Sequence, residues 1–387
     1  MTVLRQTNTP DVAQALTAAI AGFAPAPQRR RPFVMGLLRG EGVGSEMIDA
    51  TLDVLRVVTD RTGETFDLRN GGLIGYEAQR QFGQCLTQEV VDFCQATFAV
   101  GGAVLCGPGG GRFVYDLRQQ FEMYCKLTPL RPFAALHDTG VLRPECVRGT
   151  DIIVVRENTG GFYFGDYGTQ AQPNGERSAY QHCRYRETEV QRILEVAIQL
   201  AHQRSGRLAV ITKPGGIPAI SQLWKEKLHE MTASVDLETR VLEIDNAAYQ
   251  LIAAPRDFDV VVCSNLFGDI LGDCGSLLLA SRGMSFSGNF GPGGRAVYQT
   301  GHGAAWDLAG SDTANPIGQI SSLAMMLRES FGLTVVANTI EQAIQTTLAR
   351  GMRTPDIAGP ASQIVGTREL ARQIATDLDD ALVDLAP

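Results

Sequence analysis

The chain of 387 residues has no excess of positive charge: 34 Lys and Arg stand against 42 Asp and Glu, for a formal net charge of −8. That balance removes the whole-chain basic field on which affinity for DNA or RNA rests. No nucleic-acid partner is expected, and an anionic ligand must meet a local cluster of Arg and Lys. No run of 18 apolar residues occurs, so no membrane-spanning helix is expected. The eight cysteines, at 85, 94, 106, 125, 146, 183, 263 and 274, never form a C-x-x-C pair, which argues against a metal cluster or redox pair. Several sit in apolar runs such as Val261-Val262-Cys263 and read as buried, reduced thiols of a cytoplasmic protein. Internal repeats and low-complexity tracts are missing too. What the chain does have is 44% hydrophobic residues, enough for about two domains with full cores. It also has 42 glycines, above the ~7% of an average chain, which implies tight turns and close backbone approaches rather than a helical bundle.

Residues 1–32 read as an appendage. Val12 to Phe23 forms a short amphipathic helix, and the Pro-rich connector 24–32, with Arg29, Arg30 and Arg31, is a solvated linker. An apolar run, Phe33 to Leu38, then leads through Gly40-Glu41-Gly42-Val43-Gly44 into a helical pattern with Ile48, Leu52 and Leu55 on one face. Thr188-x-x-Gln191 is expected to be a capping box for a helix whose apolar face is Val190, Ile193, Leu194, Ala197 and Ala201, with a strand at 208–211 after it. Asp259 to Cys263 is another buried strand. Strands alternating with helices predict an α/β architecture with covered sheets. The G-x-G-x-G loop lacks the full dinucleotide fingerprint, so the fold is not expected to be of Rossmann type.

Three segments carry chemistry. In Asn265–Asp273, after the strand at 259–263, a helix starting near 266 stacks Asp269 and Asp273 at i and i+4. Two such carboxylates repel unless a cation lies between them, and an oxygen-only donor set favours Mg²⁺ or Mn²⁺; two solvated surface aspartates are the alternative. In Asp151–Gly165, a strand delivers Arg156 and Glu157 to its end, and Gly160-Gly161 turns the chain so that Tyr163 points back. Such an Arg suits bidentate carboxylate binding, and a Tyr serves as an acid where a cation lowers its pKa from about 10. A salt bridge with a core aromatic would look the same. In Gly301–Gly310, small residues around His302 suggest backbone pressed against a flat or phosphate-bearing ligand.

In order and spacing, these motifs resemble the isocitrate/isopropylmalate dehydrogenase family of metal-dependent β-decarboxylating dehydrogenases, over about residues 33–375. The match comprises Gly40 to Gly44, Leu117-Arg118…Tyr124, Arg156 to Tyr163, Lys213, Asp245-Asn246-Ala247-Ala248, Asn265 to Asp273, and His302-Gly303…Asn315-Pro316. The resemblance implies two α/β domains without a Rossmann unit: a discontinuous cofactor domain, 33–123 plus 280–387, and a substrate, metal and dimerisation domain, 124–279. It implies a homodimer with shared active sites. Asp269 and Asp273, with Asp245 of a second subunit, would hold Mg²⁺ or Mn²⁺ as a Lewis acid. Lys213, contributed across the dimer, would help remove the hydroxyl proton, and Tyr163 would reprotonate the carbon left by CO₂. Arg118 and Arg156 would clamp the carboxylates of a hydroxy-dicarboxylate or tricarboxylate. The segment at His302 and Gly303 would face the adenosine half of the dinucleotide, and Asn315 the adenine. Asp307 would repel a 2′-phosphate, which selects NAD.

Departures from the pattern bear on the substrate. Thr128 stands where the family carries a second clamp arginine, and losing one charge-assisted pair costs on the order of 1.5–3 kcal/mol. Either Lys126 or Arg131 takes its place, or the substrate differs there. Ahead of Arg118, Arg112 and Tyr115 replace the paired leucines expected for an isopropyl tail, which predicts a polar, anionic or aromatic side group. The expected activity is thus NAD- and Mg²⁺/Mn²⁺-dependent oxidative decarboxylation of a 3-substituted malate. The alternatives are a tartrate- or malate-like 2-hydroxy acid dehydrogenase with altered decarboxylation, and a catalytically silent regulatory subunit.

Overall fold

The computed structural model describes residues 15–21, 23 and 31–383. Twelve strands matter for the site: β1 (Phe33–Leu38), β2 (Phe66–Asn70), β3 (Ala103–Cys106), β4 (Cys125–Leu130), β5 (Ile152–Glu157), β6 (Tyr167–Ala171), β7 (Arg177–Gln181), β8 (Arg207–Thr212), β9 (Glu238–Glu243), β10 (Val260–Cys263), β11 (Phe286–Phe290) and β12 (Ala296–Thr300). Ten of them form a single sheet in the order β2-β1-β3-β12-β11-β4-β5-β10-β8-β9, while β6 and β7 make a separate hairpin. The first four strands of that order are mutually parallel, as are the last four. Between them β11 is antiparallel to both β12 and β4, and β4 is antiparallel to β5. The two parallel halves therefore run in opposite senses.

The inner strands are β-branched runs buried throughout, Ile152-Ile153-Val154-Val155 in β5 and Val260-Val261-Val262 in β10, as a sheet covered on both faces requires. The helix Gly44–Thr62 buries Ile48, Val54 and Leu55 and packs on Thr367–Val383. Every residue of Ile317–Glu329 except Arg328 is buried. Behind Phe113–Gln120, a second core of Ile74, Val90, Cys94, Phe113, Leu117 and Phe121 seats the helix that carries Arg118.

Three expectations change. The helix Glu187–Gln203 buries the predicted apolar face, but it begins before Thr188: the Glu189 carboxylate accepts from the backbone N–H of Arg186 at 2.8 Å, so the capping pair lies two residues upstream of Thr188 and Gln191. The amphipathic helix 12–23 is one 3₁₀ turn, Leu16–Ala19, among the described residues. Val12 and the connector residues 24–30, including Arg29 and Arg30, lie outside them. Arg31 pairs with Glu64 at 2.6 Å. All eight cysteines are free, but Cys85, Cys146, Cys183 and Cys274 are half-buried rather than sealed in the core.

Candidate active site

The carboxyl end of β5 and the start of the helix Asn265–Gly275 meet at Arg156. Its guanidinium, 2% exposed, donates from Nε and Nη2 to Asn265 Oδ1 at 2.9 and 2.7 Å, and from Nη1 to Asp269 Oδ1 at 2.5 Å. Asn265 is held in turn: its N–H donates to Tyr185 Oη at 2.9 Å and its side-chain amide to the Gly160 carbonyl at 3.0 Å. Gly161 has φ +76°, and a Cβ there would stand 2.2 Å from Tyr185 Oη, so only glycine fits this turn. The 3₁₀ turn Gly161–Phe164 then brings the Tyr163 hydroxyl to Asp269 Oδ2, to which it donates at 2.8 Å. Burial and the neighbouring Asp269 carboxylate raise the Tyr163 pKa, so its proton is firmly held in the free protein. Burial alone would raise Asp269; Arg156, the Tyr163 hydroxyl and Lys126 outweigh it and hold the carboxyl below the usual range.

Arg118 faces this corner from the end of its helix. It is buried, its Nε has no hydrogen-bond partner among the described residues, and burial, reinforced by Arg156, pushes its pKa down to about 9. It stays charged at neutral pH and wants an anion. Lys126 lies opposite Arg156 in the β4–β5 register. Burial first, then Arg118 and Arg156, lower its pKa well below the usual lysine value, and no carboxylate pairs with it among the described residues. Thr128 is buried one pleat further along β4. Arg131 is engaged elsewhere, with Glu341 at 2.6 Å. Of the two stand-ins considered for the missing arginine, the structure brings Lys126 to the site and not Arg131.

On the side-group flank, the Tyr115 ring meets Tyr163 edge-on at 5.1 Å between centroids and lies 5.8 Å from the Arg118 guanidinium. Arg112 sits 5.7 Å from both the Tyr115 and Tyr167 rings, with Asp116 at 3.5 Å.

Asp269 and Asp273 do share one helical face, Asp273 pairing with Arg282 at 2.8 Å. Asp245 is not with them. At the start of the helix Ile244–Ala253 it accepts from Lys213 Nζ at 2.8 Å, and Glu243 accepts from the same amine at 2.7 Å. These hydrogen bonds raise the lysine pKa and lower that of Asp245. Among the described residues, no three His, Cys, Asp or Glu side chains of one chain gather closely enough to hold a metal. The donor set at Asp269 and Asp273, all carboxylate oxygen, suits a hard divalent cation but needs a further ligand.

The expected cofactor loop packs against Gly40–Gly44. The Val43 N–H donates to the Ala304 carbonyl at 2.9 Å, and Gly42, at φ +56°, lies so close that a Cβ would be 2.0 Å from that oxygen. Gly310 N–H donates to Glu46. Asp307 and Gly303 are exposed; His302 is half-buried, with its pKa lowered by burial and Nδ1 2.9 Å from the Gly303 carbonyl. The Asn315 amide donates to Asp356 at 3.1 Å and its oxygen accepts from Ile317 N–H at 3.0 Å, so this side chain opens the helix Ile317–Glu329 and is engaged within the fold.

Two acids that stand in the sequence motifs, but to which the sequence reading gave no role, organise the loops. Glu41, buried in the glycine loop, accepts from Glu77 N–H at 2.6 Å and Gly110 N–H at 2.8 Å, tying three loops together. Glu157, fully buried, accepts from Gly160 N–H at 2.8 Å and from Thr159, bracing the turn that aims Tyr163. An acid inside a glycine-rich loop and an acid at a strand end were the available signals.

A family model for isocitrate/isopropylmalate dehydrogenase matches residues 34–374. Among curated relatives, 3-isopropylmalate dehydrogenase of Geobacillus kaustophilus is 36% identical over 360 residues, covering 89% of this chain and 95% of its own. The enzyme of the same name from Pseudomonas syringae pv. tomato is 38% identical over 357 residues, covering 88% and 98%. Among solved structures, isocitrate dehydrogenase from Methylococcus capsulatus superposes with a TM-score of 0.80 at 27% identity, over 90% of this chain and 99% of that one. No helix among the described residues is long and apolar enough to cross a membrane.

Proposed function

Because the chain belongs to the isocitrate/isopropylmalate dehydrogenase family of decarboxylating oxidoreductases, we propose that it oxidises the 2-hydroxyl of a 3-substituted malate and releases the 3-carboxylate as CO₂. NAD is the oxidant and Mg²⁺ or Mn²⁺ the metal. The observation that carries this reading is the corner where Arg156, Asp269 and Tyr163 are joined by hydrogen bonds, flanked by Arg118 and Lys126, which have no paired carboxylate among the described residues. Two guanidiniums and a lysine around a corner with one engaged carboxylate suit a substrate with several carboxylates.

Bound at Asp269 and Asp273, the metal would supply Lewis-acid stabilisation of negative charge on substrate oxygens, and the nicotinamide would supply the hydride acceptor. The chain's own residues do the rest. Arg118, Arg156 and Lys126 bind and orient the carboxylates, with Lys126 in the role vacated at Thr128. Tyr163 keeps its proton on Oη until CO₂ has left, then gives it to the carbon that lost the carboxylate. Exposed Asp307 in the His302 loop favours NAD over a 2′-phosphorylated dinucleotide. Arg112 and Tyr115 read the side group, for which a polar, anionic or aromatic tail fits better than an isopropyl one.

Lys213 and Asp245 act across a homodimer. Tyr249 and Ile270 are exposed on the adjoining helices Ile244–Ala253 and Asn265–Gly275, an apolar face suited to a second copy that would bring Lys213 and Asp245 to the Asp269 corner. We propose a cytoplasmic location, which eight free thiols support. The test is purified protein with NAD and Mn²⁺ over isocitrate, isopropylmalate, homoisocitrate, malate, tartrate and aryl- or phosphono-substituted malates, following NADH and CO₂ together. Equal yields of the two with a 3-substituted malate are expected. NADH without CO₂ would replace decarboxylation by simple oxidation, and nucleotide and metal binding without turnover of any of these acids would sink the enzymatic reading for them.

A further inference from the structure

Residues 15–21 and Phe23 precede the segment matched by the family model, 34–374, yet they are not loose. Thr17, Ala19, Ile20 and Phe23 are buried, and the Phe23 ring meets Phe290 of β11 edge-on at 5.4 Å. Thr17 donates twice to Glu329 Oε2, from N–H and from Oγ1, both at 2.9 Å.

Glu329 is an odd residue where it stands. It is the last residue of Ile317–Glu329, where the helix dipole disfavours an acid, and it is 0% exposed. The neighbouring Arg328 turns away to Asn338 and Glu341, and Glu329 Oε1 has no partner among the described residues. A buried carboxylate without a cation is costly. The hydrogen bonds that offset the cost come from Thr17. The turn Leu16–Ala19 also packs on Glu187–Gln203, and Leu16 lines a cavity of about 510 Å³ with Ile153, Leu200, Phe286, Ser321 and Met325. The segment thus bridges two helices, Ile317–Glu329 over β11 and β12 and Glu187–Gln203 over β5, β10 and β8. One carries Arg192, which lies over the Tyr124 ring; the other is opened by Asn315.

We propose that residues 15–21 and Phe23 form an intramolecular strap, and that Glu329 with the Phe290 face forms its docking site. The strap joins the helix on the Tyr163 side of the molecule to the helix on the His302 side, and Glu329 is its latch: an acid kept in the core because the chain's own N-terminal segment binds it.

The test uses a chain beginning at residue 24 and a fluorescein-labelled peptide of residues 12–25. Saturable binding is expected, with recovery of the thermal midpoint lost on truncation, and Glu329→Leu in the truncated chain should weaken the peptide by about 10–100-fold, the scale of hydrogen bonds to a charged group. A folded truncated chain that ignores the peptide, or that binds it equally well with and without the Glu329→Leu substitution, would overturn the proposal. Should truncation prevent folding, Thr17→Val and Glu329→Leu in the full chain provide the readout by hydrogen exchange. The residue-17 amide is expected to lose protection by about 10-fold or more in the Glu329→Leu chain while strand β5 keeps its own; unchanged protection at residue 17 refutes the latch.

Discussion

The corner at Arg156 and the pair at Lys213 are built on opposite principles. Arg156, Asn265, Asp269 and Tyr163 come from three elements of one chain, hold one another through four hydrogen bonds, and sit against a glycine turn that tolerates no side chain. Lys213 is half-buried and Asp245 exposed; they are satisfied by each other and by Glu243, and far less constrained. The first group is preorganised by the fold alone. The second is held in a resting pair whose charges must be re-partnered to act, because a lysine whose pKa is raised by two carboxylates is a poor proton acceptor.

The strongest blow to this contrast comes from Tyr163→Phe. The aromatic packing on Tyr115 stays while the proton donor goes, so kcat should fall by about 10²–10⁴-fold with the thermal midpoint nearly unchanged; residual activity near wild type would remove Tyr163 from the chemistry. Asp269→Asn should abolish metal-dependent turnover with the fold intact, since Arg156 keeps both bonds to Asn265; full activity would refute the metal assignment. Lys213→Met should also inactivate, but a mixture of Lys213→Met and Tyr163→Phe chains, dissociated and reassociated, should recover roughly a quarter of wild-type activity if each site draws on two chains. No recovery would place Lys213 and Tyr163 in one chain's site, or in none.

A smaller effect is expected at Lys126. Lys126→Met should raise KM by about 10–100-fold with a lesser change in kcat. The pH profile separates charge from shape. Lys126 has its pKa lowered by burial, Arg118 and Arg156, so its ammonium is present at low pH and lost earlier on the alkaline side than an ordinary lysine's. KM should climb as pH rises through that range, and Lys126→Arg, which keeps its proton, should flatten the climb. The smallest change is Arg112→Ala, expected to alter the preference among side groups while leaving the common malate core recognised.

Local pattern made much of the fold legible. The buried strands at 33–38 and 260–263, the apolar face of Glu187–Gln203 and the i, i+4 spacing of Asp269 and Asp273 all follow from periodicity, and the structure has them at those places. What stayed hidden was the pairing of groups far apart in sequence. Nothing local tells that Asp269 is occupied by Arg156, 113 residues away, and by Tyr163, 106 residues away. Choosing between Lys126 and Arg131 required the β4–β5 register and the helix that supplies Glu341. Nothing local pairs Glu329 with Thr17, 312 residues away.

With Lys126 in the role we propose for it, positive charge moves back by two residues from Thr128 on the same face of β4, about 7 Å along the strand. A β-strand is a ruler with fixed graduations, and this one has been reset by a single mark. The displacement also carries the charge from opposite Val154 to opposite Arg156, next to the reacting corner. On the proposed reading, an acid bound here would need its far carboxylate drawn inward or turned toward Arg156. Candidate substrates can be sorted by the separation of their carboxyl groups before any is synthesised.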